Sequence, residues 1–353
     1  MRILLTGGAG YVGSACFRTF RRHGLEAFVF DDLSEGHAAA VRLMQGNGDD
    51  GAGDDGAGGD GAGDDRLETG DLRDTEAVAR VLRDRRISHV VHLAALTSVP
   101  GSVLDPAGYW SVNVDGTRSL LEAMRATGVG RIVLSSTAAV YAHGHDRPIR
   151  EDDRIAPATP YGTSKLAAEH LLAGYAAAYG MGAVALRYFN AAGADADGRH
   201  GEAHRVETHV IPLLIAAAQG QRPLFRVFGN QWPTPDGSCI RDFVSVHDLA
   251  EAHLLALQRA EPGRMQQYNL GSGQGCSVLD LLAAARRITG SPIPVAFEAP
   301  RAGDPPVLVA DISRAREALG WTPRTSGLQD ILTTALHWHA RNPSGYGIIP
   351  DRA

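Results

Sequence analysis

Short apolar runs alternate with longer stretches whose apolar side chains recur every three or four residues, and this alternation organises the amino-terminal half of the chain. Arg2 to Thr6 reads as a strand, followed by a helical pattern from Ser14 to His23. A second strand, Ala27-Phe28-Val29-Phe30, ends at Asp31. Two further strands, Val90-Val91-His92-Leu93 and Ile132-Val133-Leu134-Ser135, each follow a helical pattern, over Thr75 to Arg85 and Gly116 to Thr127. Strands alternating with helices at this spacing predict βαβ units and a parallel sheet. Ligands of such sheets bind beyond the carboxyl ends of the strands.

The first of those ends is rich in glycine. Gly8-x-Gly10-x-x-Gly13 follows the strand directly, with Gly7 adding a second frame. Such glycines permit a tight turn and let backbone N–H groups and a helix N-terminus approach a pyrophosphate. Asp31 closes the second strand eighteen residues past Gly13, where a carboxylate accepts from ribose hydroxyls and repels a 2′-phosphate. NAD is therefore favoured over NADP, and Asp32 adds to the preference. Asp71-Leu72, Ala94-Ala95-Leu96 and Ser135-Ser136-Thr137 fall after the third, fourth and fifth strands and complete one crevice. The predicted class is α/β, a Rossmann-type doubly wound parallel sheet.

Composition changes this picture little. The net charge of -6 is local, because residues 46–66 hold seven aspartates, nine glycines and one arginine in a loose Gly-Ala-Gly-Asp-Asp pattern. That segment has no apolar surface to bury and is expected to be a disordered insertion. Its register does not follow the calcium-binding nonapeptide repeat. The three cysteines are too scattered for a disulfide framework or a zinc site. The opening apolar residues are interrupted at Thr6-Gly7-Gly8, and no apolar run approaches a membrane span. A cytoplasmic protein without membrane or nucleic-acid partners is expected.

The candidate chemistry begins with an oddity: of the 34 basic residues only one, Lys165, is a lysine. A lysine is a compact ammonium whose pKa and reach can be tuned, whereas arginine keeps its charge in a planar fork. Lys165 stands four residues after Tyr161, so both lie on one helical face. Pro160 suits the first position of that helix. A neighbouring ammonium, together with the positive nicotinamide of NAD, is expected to favour the Tyr161 phenolate. Thr137 can then hydrogen-bond the substrate oxygen and pass its proton toward Tyr161.

With these residues in place the chain resembles the extended short-chain dehydrogenase/reductases and, within them, the UDP-glucose 4-epimerases. The resemblance runs from Met1 to about Tyr346, apart from the acidic insertion. It includes Thr6-Gly7-Gly8-Ala9-Gly10-Tyr11-Val12-Gly13, Leu186-Arg187-Tyr188-Phe189-Asn190, Pro233-Thr234-Pro235-Asp236-Gly237, Arg241-Asp242-Phe243, Tyr268-Asn269-Leu270-Gly271 and Arg301-Ala302-Gly303-Asp304-Pro305. It implies an NAD-binding domain over 1–187 and a smaller, mixed α/β nucleotide-sugar domain over 188–345, with the chain partly returning to the first. It also implies a tightly held NAD, removal of hydride from C4 of the sugar, turning of the 4-keto sugar, and return of the hydride to the opposite face.

By the same resemblance, cofactor contacts fall on Gly7, Gly10, Tyr11, Val12 and Gly13, and on Asp31, Asp32, Leu33 and Ser34. Asp71, Leu72, Leu93, Ala94, Ala95, Thr97 and Phe189 join them, with Tyr161 and Lys165. Thr137 and Tyr161 face the sugar. The nucleotide falls to Asn190, His209, Val210, Arg226, Val227, Phe228, Arg241, Arg301 and Asp304. Arg241 and Arg301 suit a diphosphate and Asp304 suits ribose hydroxyls. His200, His204 and His209 invite a metal-site reading, but the matching loop of the family binds none, so no metal is expected. A homodimer joined through the helices containing Leu120-Leu121 and Leu171-Leu172 is implied.

Departures fall at Thr137, where many epimerases carry serine, at Val112, which leaves Asn113 alone in a usual Asn-Asn-Val run, and at Thr97, where many carry lysine. Leu308 is intermediate in size at a position tied to room for an N-acetyl group. Substrate breadth therefore stays open between hexoses, N-acetylhexosamines and pentoses. Ala138-Ala139 after Thr137 replace the acidic pair of the dehydratases. A non-catalytic NAD sensor on the same scaffold predicts loss of the Tyr or Lys, and both are present.

Overall fold

A computed structural model describes residues 1–42, 66–144, 147–301 and 303–347. Most of the Asp/Gly-rich stretch lies outside the described residues. Arg66 is described and structured: its carbonyl accepts from the Val29 N–H at 2.7 Å and its guanidinium lies 5.6 Å from the Phe28 ring. The insertion expected over 46–66 therefore excludes Arg66, which leads into the third strand.

Six strands come from the first part of the chain: β1 (Arg2–Thr6), β2 (Glu26–Asp31), β3 (Leu67–Thr69), β4 (His89–His92), β5 (Arg131–Thr137) and β6 (Gly182–Tyr188). A seventh, Met265–Leu270, joins beyond β6. The order from that edge is Met265–Leu270, β6, β5, β4, β1, β2, β3, and every pairing is parallel. The winding direction reverses between β1 and β4, which opens a crevice at their carboxyl ends.

Alternation along β1 builds both layers. Ile3 and Leu5 pack toward Phe17, Phe20, Leu249 and Leu257, whereas Leu4 packs toward Val78, Leu82, Leu121 and Leu172. A strand covered on both faces needs apolar side chains on both, which is why β1 and β6 read as continuous apolar runs. The fold is the expected Rossmann-type doubly wound sheet.

Several element limits differ from the sequence reading. The first helix spans Tyr11–Arg22 instead of starting at Ser14, because Gly10 takes the extended cap conformation and the helix starts at the next residue. β4 is His89–His92, since the N–H groups of Leu93 and Ala94 both turn to the Thr6 carbonyl at 2.9 Å. The third strand stops at Thr69, two residues before Asp71. Gly116–Thr127 has the expected limits and ends on Gly128 at φ 77, but a π-helical segment, Trp110–Asp115, precedes it.

Beyond β6 the chain forms small paired strands: Asn190–Ala192 with Phe243–Ser245, Phe225–Phe228 with Val295–Glu298, and Ile240–Arg241 between Cys276–Ser277 and Val307–Leu308. They pack with helices around Ile211, Leu214, Phe243, Leu281 and Ile331. No helix among the described residues is long and apolar enough to cross a membrane.

Candidate active site

A cavity of about 650 Å³ lies over the carboxyl ends of β1, β2, β4 and β5 and reaches into the carboxyl-terminal lobe. Its floor is the glycine turn. Gly7 has φ 71, and a Cβ there would collide with the backbone of Ala94; a Cβ on Gly13 would collide with the Gly7 carbonyl. A backbone this bare leaves room for a pyrophosphate against the helix N-terminus, and the cradle therefore fits NAD.

Asp31 lines the same cavity at the end of β2. Its carboxylate accepts from the N–H groups of Ala9 and Leu33, each at 2.9 Å, which ties the glycine turn to the second strand end. Burial raises its pKa, against those two hydrogen bonds. Each oxygen keeps a further lone pair for a ribose hydroxyl. Asp32 instead accepts from the Ser34 N–H at 2.9 Å and hydroxyl at 2.6 Å, closing the turn around Leu33 at φ 60. Asp71 is held by Arg73, whose side-chain hydrogen bonds keep its carboxyl below the usual range.

The helix Pro160–Tyr179 carries the reactive face. Thr159 caps it by accepting from the Gly162 N–H at 3.2 Å, and Gly162 is free of a side chain because a Cβ would meet the Ala139 carbonyl. That close approach sets the helix against the end of β5. Tyr161 and Thr137 then face the cavity together, and the Thr137 hydroxyl accepts from the Ala139 N–H at 3.1 Å. Burial pushes the Tyr161 phenol up to about 12, with the Thr137 hydroxyl opposing and Tyr109 adding to the rise.

Lys165 is buried one turn on, and its ammonium donates to the Ser135 carbonyl at 2.9 Å. Burial lowers its pKa to about 8, while the Glu169 carboxylate works in the opposite direction. The expected lowering of the Tyr161 pKa by Lys165 is not seen: the ammonium is turned to β5, and burial dominates the phenol. His92 lies behind them between Thr6, at 2.8 Å, and Thr117, at 2.9 Å; burial and then the Lys165 charge hold it neutral, down to about 3.

Asn113 has a bracing part. It accepts from the Leu96 N–H at 2.8 Å and donates to the Leu96 carbonyl and the Ser164 hydroxyl, each at 3.0 Å, fixing the loop after β4 to the reactive helix. Val112 and Thr97 line the cavity beside it.

Tyr11, Val12, Ser34, Leu72, Leu93, Ala94, Ala95 and Phe189 also border the cavity, but Leu33 does not and packs instead against the core. On the other side, Asn190, His209, Val210, Arg241 and Asp304 reach it. Asn190 donates to the Asp242 carbonyl at 2.9 Å, and Arg241 lies 3.7 Å from Asp304 while donating to the Pro305 carbonyl at 2.9 Å. Arg226, Val227, Phe228 and Arg301 do not line it. Arg226 pairs with Glu298 at 2.9 Å, the Val227 side chain is buried in the carboxyl-terminal core, and Arg301 sits 3.8 Å over the Phe228 ring. Strand alternation explains Val227, which points inward between two outward neighbours.

The three histidines are not one group. His200 is buried and contacts the Ser14 hydroxyl at 2.8 Å, whereas His204 and His209 converge on Glu202 at 3.2 and 2.8 Å. Burial would raise the Glu202 pKa, but the hydrogen bonds of the two histidines bring it down to about 2. Glu202 was absent from the sequence reading, as were Tyr109, edge-on to Tyr161 at 6.4 Å, and the Ser135 carbonyl. A backbone acceptor carries no signal in a sequence, and Tyr109 lies in no motif.

Residues 3–271 match the NAD dependent epimerase/dehydratase family. The chain belongs to this family. Among the family's curated members, the UDP-glucose 4-epimerase of Streptomyces lividans is 44% identical over 346 residues, 98% of each chain. A solved UDP-glucose 4-epimerase from Brucella ovis, in complex with NAD, superposes with a TM-score of 0.85 at 41% identity, covering 96% of this chain and 98% of that one. A second, from Stenotrophomonas maltophila with bound NAD and formylated UDP-arabinopyranose, gives 0.88 at 35% identity over 97% and 99%.

Proposed function

We propose that this epimerase-family chain interconverts UDP-glucose and UDP-galactose with NAD, by removing and returning hydride at sugar C4. The observation that carries the reading is Thr137, Tyr161 and Lys165 brought to one wall of a cavity whose floor is the glycine cradle. NAD bound there supplies the hydride acceptor and donor.

Tyr161 takes the proton of the sugar 4-hydroxyl, and Thr137, on the same cavity wall, orders the donor oxygen and relays the proton. A phenol held up at about 12 is a poor base, so charge must be brought to it. Lys165 provides the positive charge: its ammonium donates to the Ser135 carbonyl and would reach the nicotinamide ribose of bound NAD. Arg241 grips the diphosphate and Asp304 the uridine ribose, with Asn190, His209 and Val210 completing the nucleotide site along the cavity. A firm grip on the nucleotide and a loose one on the sugar let both faces of the 4-keto sugar meet the cofactor. Leu308, at the cavity wall, sets the room beside the sugar.

We further read 1–187 as the NAD-binding domain and 188–345 as mainly the nucleotide-sugar domain, supported by the separate apolar cluster around Leu214 and Leu281. A cytoplasmic homodimer is part of the proposal. Leu120, Leu121 and Leu172 are fully buried in the chain's own core, so the partner-facing surface of those helices is the other one, where Tyr179 is 55% exposed beneath Arg125.

The test is purified protein with UDP-galactose and no added NAD. Formation of UDP-glucose is expected. No UDP-glucose, with turnover of a UDP-pentose or a UDP-N-acetylhexosamine, would replace the hexose assignment.

A further inference from the structure

Behind the reactive wall lies a buried charge pair that the proposed chemistry does not use. Glu169 stands four residues after Lys165 on the same helix and is 4% exposed. Its Oε1 accepts from the Ser136 hydroxyl at 2.5 Å and from Arg187 Nε at 3.0 Å, and its Oε2 accepts from Arg187 Nη2 at 2.6 Å. Arg187, on β6 and also 4% exposed, donates through Nη1 to the Tyr141 hydroxyl at 2.9 Å, and Tyr141 donates to Asn269 at 2.7 Å. Three elements meet on one carboxylate: the reactive helix, β5 and β6.

A buried ion pair contributes little net stability, because desolvating both charges offsets their attraction. An apolar pair of the same volume would hold these elements as well. What it could not supply is a negative charge one helical turn from Lys165. Among the described residues, His92 on β4 is the other ionisable group that feels this ammonium, and burial holds it neutral. The register is equally specific. Consecutive β5 residues hold the two side chains, Ser135 through its carbonyl to Lys165 and Ser136 through its hydroxyl to Glu169, and Thr137 follows at the cavity.

We propose that Glu169, clamped by Arg187 and Ser136, is a positioning residue that keeps Lys165 charged and holds it in register with Thr137. The proposal rests on the reading of Lys165 given above, but it can be tested apart from any turnover. Lys165 is the chain's single lysine, so protein grown on ¹³C-labelled lysine gives one lysine side-chain signal by NMR. Its chemical shift against pH reports the ammonium directly, in the protein as purified.

The wild-type midpoint is expected near 8. In Glu169→Gln it should fall by about one unit or more, the size of effect that a nearby opposite charge exerts. Ser136→Ala keeps the charge and should leave the midpoint within about 0.3 unit, an order-of-magnitude margin for losing one neutral hydrogen bond. If Glu169→Gln does not fold, Glu169→Gln with Arg187→Gln, which removes the opposing charge as well, takes its place, and its midpoint should fall in the same direction by a smaller amount. A folded variant lacking the Glu169 charge with an unmoved midpoint overturns the proposal. So does failure of both to fold, since the pair would then hold the fold and nothing more. Loss of the alkaline limb of epimerase activity should follow the same shift. A shifted midpoint in a protein with no epimerase activity would leave Glu169 in this part and sink the proposed reaction instead.

Discussion

Tyr161→Phe removes the phenol while keeping the ring edge-on to Tyr109, so the fold and bound NAD should persist while turnover falls by about 10²–10⁴, the usual worth of a positioned acid or base. Steady-state assay and the NAD content of the purified variant separate the two effects; normal turnover would remove Tyr161 from the reaction. Lys165→Arg is a harsher exchange here than its chemistry suggests. The buried ammonium sits against the Ser135 carbonyl at 2.9 Å, and a planar fork does not fit that space with its remaining donors satisfied. The pH dependence follows from the lowered pKa: the ammonium is charged below about 8 and lost above it, so kcat should decline as pH rises through that value. A profile flat to pH 10 would contradict the assignment. Tyr161 was legible because it and Lys165 share a helical face. The direction of the Lys165 side chain was not, because it depends on a carbonyl thirty residues away.

At the scale of elements, the glycine turn is the most constrained part of the site. Gly13→Ala places a methyl against the Gly7 carbonyl, a backbone atom that cannot swing aside. The variant should purify without NAD and lose roughly 1–3 kcal/mol of stability, the range for overpacking a close contact. Cofactor absorbance and thermal melting would show both, and retention of NAD at wild-type stability would contradict the cradle. The spacing of glycines announced this turn, since only a bare backbone makes such an approach. The π-helical segment Trp110–Asp115 was not announced. It is imposed by packing that lets Asn113 reach both Leu96 and Ser164, and an isolated period count cannot foresee it.

Across the whole molecule, β6 and the strand Met265–Leu270 lie side by side in one sheet although the carboxyl-terminal elements intervene between them. NAD in the crevice of that sheet should therefore stabilise the chain as one body. Stripping the cofactor is expected to lower the melting temperature measurably, since a ligand at a thousand times its Kd contributes about 4 kcal/mol. Arg241, held 3.7 Å from Asp304 at the cavity, belongs to the nucleotide grip, and Arg241→Ala should raise the KM for UDP-galactose at least about tenfold, the loss of one charge-assisted contact, with a smaller change in kcat. An unchanged KM would remove it from that site. The sequence by itself determined what depends on local periodicity and backbone geometry: the parallel sheet, the glycine cradle, the acid at the end of β2, and the Tyr161–Lys165 face. Only the tertiary structure decided that Val227 points into the core, that Glu202 gathers His204 and His209, and that Glu169 and Arg187 meet behind the lysine. Those pairings join residues from separate elements, and packing brings them together where no repeat along the chain records it.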